Sequence, residues 1–82
     1  MDKASEIIVN LLVKGDKVKL TAPKKLSAWK PVVVEVCEVY EKGILGWEVG
    51  VDKETHDPLT YEWWGIESVE IVERRKNWFL YN

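Results

Sequence analysis

The sequence predicts a small, mainly β domain with one short helix at its N-terminus. Apolar and polar residues alternate with a period of two over several short stretches, which is typical of strands with one buried face. Turn-forming residues separate these stretches. The chain has 82 residues, and a protein of this size has room for one hydrophobic core. We therefore expect residues 1–82 to form a single domain.

The N-terminal segment predicts a helix over residues 6–13. Ser5 is a good N-cap residue, and Gly15 follows the last turn, where glycine commonly ends a helix. The 3.6-residue period would place Ile8, Leu11 and Leu12 on one face. A strand is the alternative interpretation, because β-branched residues are frequent in this segment: Ile7, Ile8, Val9 and Val13.

Two strands are predicted next. Residues 17–21 alternate lysine and threonine with Val18 and Leu20, and Pro23 follows them. Residues 32–40 form a longer strand in which the alternation slips at Cys37. A β-bulge at Cys37 would return Val39 to the interior.

The second half of the chain predicts a hairpin and two further strands. Residues 41–43 have the composition of a tight turn. In the returning strand, Leu45 and Trp47 have the parity expected of core residues, with Gly46 and Glu48 on the other face. After a polar loop at residues 52–58, strands are predicted at 60–64 and 69–73.

This order of elements resembles an SH3-like barrel of about five or six short antiparallel strands. The resemblance covers residues 15–73: a first strand, a long loop, two hairpin strands, and a turn near residues 67–68 before the last strand. It concerns the architecture and implies no particular function, because one fold hosts many functions.

Charge is strongly partitioned along the chain. Residues 35–73 carry eleven acidic and two basic residues, whereas residues 14–30 carry six lysines and one aspartate. This separation predicts an acidic face and a basic face, which favours interaction with a charged partner or self-association.

The sequence offers little that is typical of an enzyme. The one histidine, His56, lies in a polar loop whose carboxylates lack the spacing and the glycine of a calcium loop. The single Cys37 lies in a valine-rich strand with no cation beside it in sequence. We therefore expect a non-enzymatic protein with no cofactor and no metal.

Cysteine usage and hydropathy predict the compartment. One cysteine cannot form an internal disulfide, which favours a reducing cytoplasm. A membrane-spanning helix needs about eighteen consecutive apolar residues, and no apolar run in the chain approaches that length. We therefore expect a cytoplasmic protein with no membrane contact.

Trp64 is the main candidate for a binding residue. If Trp63 and Trp64 are neighbours in a strand, their side chains point to opposite faces; we assign Trp63 to the interior and Trp64 to the surface. An exposed indole among Glu62, Glu67 and Glu70 would suit a cationic or proline-rich peptide. The alternative is that the helix or the aromatic C-terminal segment covers Trp64. We predict a protein-interaction module, of the adaptor or inhibitor kind.

Nucleic-acid binding is the alternative function. Two stretches interleave basic and aromatic residues, a pattern that binds phosphates and stacks on bases. The first is Lys24, Lys25, Trp29 and Lys30, and the second is Arg74, Arg75, Lys76 and Trp78. The isoelectric point near 5.4 argues against it, because nucleic-acid modules usually carry net positive charge.

Overall fold

The computed structural model describes residues 1–23 and 30–74. Within them, five antiparallel strands form one sheet in the order β4-β3-β2-β1-β5. The elements are α1 (Lys3–Leu11), β1 (Lys17–Thr21), β2 (Val32–Tyr40), β3 (Gly43–Glu48), β4 (Leu59–Glu62), a single 3₁₀ turn (Trp63–Gly65) and β5 (Ser68–Glu73). The mainly β architecture with a short helix is confirmed. Over the described residues β4 and β5 do not pair with each other, so the sheet is not closed into a barrel.

The N-terminal segment is a helix, but it begins three residues before the predicted start. Its N-cap is Asp2, whose carboxylate accepts the backbone N–H of Ser5 at 2.8 Å. This hydrogen bond lowers the pKa of Asp2. The Ser5 side chain has a different role: its hydroxyl accepts the backbone N–H of Val69 at 2.9 Å. Ser5 is buried, and it fixes α1 against β5.

The helix turns most of the predicted face toward the core, with one exception. Leu12, just past the last turn, is buried, and Ile8 and Val9 pack partly against the core. Leu11 is 54% exposed, so its assignment to the buried face is wrong. The earlier start places Ser5 against β5, and this contact sets which side of the helix faces the sheet.

The core lies on one face of the sheet, under α1 and the 3₁₀ turn. The alternation predicted for β1 is confirmed, because Val18 and Leu20 are both fully buried. The other buried apolar residues of this core are Leu12, Val34, Val36, Ile44, Ile66 and Val69.

The β-bulge predicted in β2 is confirmed. The register between β2 and β3 shifts between Val36 and Glu38, so Cys37 is the extra residue. The bulge places Val39 opposite the buried Ile44, but Val39 remains 38% exposed. The reason is that β1 pairs with β2 only over residues 32–35 and does not flank Val39.

The parity predicted for β3 is wrong. Ile44 and Gly46 are buried, whereas Leu45 and Trp47 lie on the opposite face. Position 46 requires glycine, because a Cβ atom there would lie 2.5 Å from the carbonyl oxygen of Glu35. The half-buried Trp47 packs in the outer layer instead, where its indole N–H donates to the carbonyl oxygen of His56 at 2.9 Å.

The strand predicted at residues 60–64 ends earlier, at Glu62. The chain then turns: the Trp63 N–H donates to the carbonyl oxygen of Lys42 at 2.8 Å, and the Ile66 N–H donates to the carbonyl oxygen of Trp63 at 3.0 Å. The 3₁₀ turn brings Ile66 into the core, where it is 3% exposed.

A buried carboxylate joins the end of α1 to the sheet. Asp16 is fully buried, and its Oδ2 atom accepts the Val13 N–H at 3.1 Å and a guanidinium N–H of Arg74 at 3.4 Å. Its backbone carbonyl accepts the Val36 N–H at 2.8 Å. Asp16 therefore links the segment after α1 to β2 and to the end of β5.

Substitution of Ser5 tests how α1 is fixed. Ser5→Ala leaves the buried Val69 N–H without its acceptor, so we expect the free energy of unfolding to fall by about 1–3 kcal/mol. Asn10→Ala, at an exposed position of the same helix, is the control and should cost no more than about 0.5 kcal/mol. Urea unfolding of both variants measures the difference. Equal stabilities would contradict this role of Ser5.

Candidate functional site

An open groove of about 550 Å³ lies at one end of the sheet. Its walls come from four parts of the chain: the start of β2, the end of β3, strand β4 and the 3₁₀ turn with the residue after it. Pro31, Val32 and Ile66 give it apolar walls, and Tyr61 and Trp64 add two aromatic rings. The charged residues that line it in the described part of the chain are Glu48, Glu62 and Lys30. An apolar groove with a few charged groups is the usual form of a binding site.

Trp64 is the most exposed large apolar side chain in the described part of the chain. It is 77% exposed, and its indole N–H donates to the Glu62 carboxylate at 2.6 Å. Trp63, its neighbour, packs against the core. The predicted division between these two residues therefore holds, although a 3₁₀ turn and not strand alternation produces it.

Tyr61 forms the inner wall of the groove. It pairs with Ile44 of β3 and packs partly against the core. Burial raises the pKa of its phenol, and the negative charge of Glu48 raises it further. The Tyr61 hydroxyl is therefore neutral at physiological pH and can donate a hydrogen bond to a ligand.

The structure brings together only part of the predicted acidic set. Glu62 lies beside Trp64, and Glu48 joins it in the groove. Sequence reasoning missed Glu48, because the wrong parity for β3 placed it on the outer face. Glu67 lies in the connection before β5, where its backbone N–H donates to the carbonyl oxygen of Thr21. Glu70 lies on β5, opposite Lys19, at the other edge of the sheet.

Of the predicted basic set, the structure describes two residues. Lys30 lines the groove. Arg74 donates to the carbonyl oxygen of Leu11 at 3.0 Å and forms an ion pair with the buried Asp16. Its guanidinium therefore has a structural role. The other members lie outside the described residues: Lys24, Lys25, Trp29, Arg75, Lys76 and Trp78.

His56 lies in the exposed loop between β3 and β4. Its Nδ1 atom is 3.1 Å from the carbonyl oxygen of Asp52 and 2.9 Å from the Thr55 hydroxyl. In the described ranges, no three histidine, cysteine, aspartate or glutamate side chains are grouped so that they could hold a metal ion. Residues 1–23 and 30–74 also contain no helix with the length and apolar character needed to cross a membrane.

Comparison with known proteins found no match to this chain among protein-family models, curated proteins or solved structures. The arrangement of the groove is therefore the basis for a functional proposal. It combines an exposed indole, a neutral phenol and two carboxylates at one end of the sheet.

Substitution of Glu48 tests the electrostatics of the groove. In Glu48→Gln we expect the pKa of Tyr61 to fall, because one cause of its elevation is removed, but to stay above 10, because burial remains. As the pH rises above 10, the unfolded state loses its Tyr61 proton first, so this residue lowers stability there. Nuclear magnetic resonance of ¹³C-labelled tyrosine during a pH titration measures the pKa. An unchanged Tyr61 pKa would contradict a Glu48 contribution.

Proposed function

We propose that this protein is a non-enzymatic interaction module that binds a cationic segment of a protein partner in the groove beside Trp64. The observation that carries the proposal is the 77% exposure of the Trp64 indole next to the Glu62 carboxylate. The ring is also continuous with the apolar walls of the groove, and contiguous exposed apolar surface rimmed by polar residues commonly marks an interaction site. Tryptophan is also strongly enriched among the residues that dominate binding energies.

The chemistry of the groove favours a positively charged ligand. The face of an indole attracts a cation, and the hydrogen bond to Glu62 restrains the Trp64 ring. Glu62 can then pair with an ammonium or guanidinium group placed over the ring. Glu48 adds negative charge to the groove near Tyr61. Among the described residues, Lys30 is the one positive side chain that lines the groove, and it would favour a ligand whose positive charge lies on the side of the two glutamates.

We also propose that the sheet belongs to an SH3-like barrel architecture. The strand order supports this, since β1 pairs with β2 on one side and with β5 on the other. A long connection joins β1 to β2, and a 3₁₀ turn precedes the last strand, in keeping with the order of elements in the sequence. A cytoplasmic location remains part of this proposal, supported by the lone Cys37.

Nucleic-acid binding stays a prediction and ranks second. Most of its proposed residues lie outside the described part of the chain, and Arg74 is engaged with Asp16 and Leu11. Self-association through the acidic and basic regions likewise stays a prediction, supported by the charge partition alone.

Removal of the indole is the direct test of the groove. We expect Trp64→Ala to weaken binding of a lysine-rich peptide at least tenfold. Its free energy of unfolding should change by no more than about 0.5 kcal/mol, because the side chain is 77% exposed. Tyr40→Ala, another exposed aromatic that does not line the groove, is the control and should leave the affinity unchanged. Calorimetric titration and thermal unfolding give both quantities.

Two results would contradict the proposal: equal affinities of the Trp64→Ala and Tyr40→Ala variants, or a large loss of stability in Trp64→Ala, which would make the indole a structural residue. Binding of an RNA or DNA oligonucleotide, with strong salt dependence and no effect of Trp64→Ala, would instead favour the nucleic-acid alternative.

Neutralising Glu62 distinguishes the contribution of its carboxylate to binding from that of the Trp64 ring. We expect Glu62→Gln to weaken binding of the same peptide at low ionic strength and to make the affinity less sensitive to salt. Glu54→Gln removes an equal charge from an exposed loop residue that does not line the groove, so it serves as the matched control. Titrations at two salt concentrations measure the effect. If both variants lost affinity equally, net charge and not the site would explain the binding.

A further inference from the structure

Strand β4 presents an open edge beside the groove. It pairs with β3 on one side, and no described strand pairs with its other side. The Trp63 N–H donates to the carbonyl oxygen of Lys42, on the β3 side. Because hydrogen-bonding direction alternates along an antiparallel strand, Tyr61 also faces β3. Thr60 and Glu62 therefore turn their backbone N–H and C=O groups away from β3.

The groove extends to this edge. Tyr61 is opposite the buried Ile44, so its side chain lies on the inner face of the sheet. Thr60 is opposite Leu45, so its side chain lies on the outer face. Both residues line the groove. A groove bordered by residues of both faces reaches the edge of β4, where the outward backbone groups lie.

The other end of the sheet is arranged differently. At β5, the Val69 N–H that points away from β1 is accepted by the Ser5 hydroxyl, and α1 packs alongside. One edge of the sheet is therefore covered by the helix, while at the edge beside Trp64 no strand of residues 1–23 or 30–74 pairs with the outward backbone groups. Open edges of this kind pair readily with extended segments.

We propose that the ligand of this groove is an extended basic peptide that adds to the sheet as a strand on the free edge of β4. Its backbone pairs with Thr60 and Glu62, and a lysine or arginine beside the paired residues reaches the Trp64 ring and the Glu62 carboxylate. This inference rests on the proposed function and narrows it: a proline-rich helix lacks the backbone N–H groups that the edge requires.

Charge supports this occupant. Among the described residues that line the groove, two are glutamates and one is a lysine, so the local charge is net negative. A basic strand matches this field, whereas an acidic strand would be repelled. In strand addition, backbone hydrogen bonds provide affinity and side-chain contacts provide specificity.

N-methylation of the peptide backbone is the first test. The probe is a nine-residue peptide of alternating lysine and threonine, with a series of variants that each carry one N-methyl group. We expect methylation to weaken binding at least tenfold at every second position, where the N–H faces β4, and less than twofold at the positions between. A proline-rich peptide of the same charge should bind at least tenfold more weakly than the unmodified probe.

The protein side has a matched pair of variants. Thr60→Pro removes the outward N–H and keeps the β3 ladder, because proline is tolerated on an edge strand where its nitrogen faces solvent. Thr60→Ala keeps the N–H and is the control. We expect Thr60→Pro to weaken the probe at least tenfold and Thr60→Ala less than twofold. Thermal unfolding checks that both variants fold; if Thr60→Pro does not, the N-methyl series alone decides.

The outcomes separate the two proposals. Alternating sensitivity to methylation supports strand addition. Uniform insensitivity to methylation, or equal binding of the proline-rich peptide, together with loss of binding in Trp64→Ala, would overturn strand addition and keep the proposed function. Absence of binding by every basic peptide would overturn both.

Discussion

The rest of the structure depends on how α1 is fixed against the edge of β5. The Ser5 hydroxyl accepts the backbone N–H of Val69 across 64 residues of chain, and this contact is buried. A buried N–H without a partner is costly, so the hydrogen bond sets which face of the helix meets the sheet. Asp16 holds the other end: it is fully buried, bonds to the Val13 N–H and pairs with Arg74 at the end of β5. The helix is thus tied to the sheet at both of its ends.

This placement makes the two edges of the sheet unequal. The covering by α1 is concentrated at β5, and the groove lies at β4, the opposite end of the strand order. The adjacent tryptophans reinforce the difference, because Trp63 packs against the core and Trp64 remains in solvent beside Glu62. The short 3₁₀ turn produces this division, since it packs the Trp63 ring against the core and leaves the Trp64 ring exposed. The candidate site therefore follows from the packing of the fold.

Much of the fold could be predicted from the sequence, and the failures have physical causes. The alternation around Val18 and the bulge at Cys37 are local patterns, and both are confirmed. The predicted parity of β3 is wrong because the buried face of this strand carries Ile44 and Gly46. Position 46 accepts only glycine where the Glu35 backbone approaches it, and sequence alone does not reveal this contact between strands. That error hid Glu48. In α1, Asp2 and Ser5 are both good caps, and only the position of Val69 decides that Ser5 serves the sheet. The sequence identifies Trp64 as an exposed binding residue, but it also groups Glu70 with Trp64, whereas Glu70 lies at the opposite edge of the sheet.

Amide hydrogen exchange distinguishes an edge of the sheet that the helix covers from an edge that can bind a ligand. In the free protein, the account predicts slow exchange at the Val69 N–H, which Ser5 accepts, and fast exchange at the outward N–H groups of Thr60 and Glu62. Addition of a basic peptide should slow exchange at Thr60 and Glu62 and leave Val69 unchanged. Slow exchange at Thr60 and Glu62 in the free protein, or fast exchange at Val69, would contradict the account.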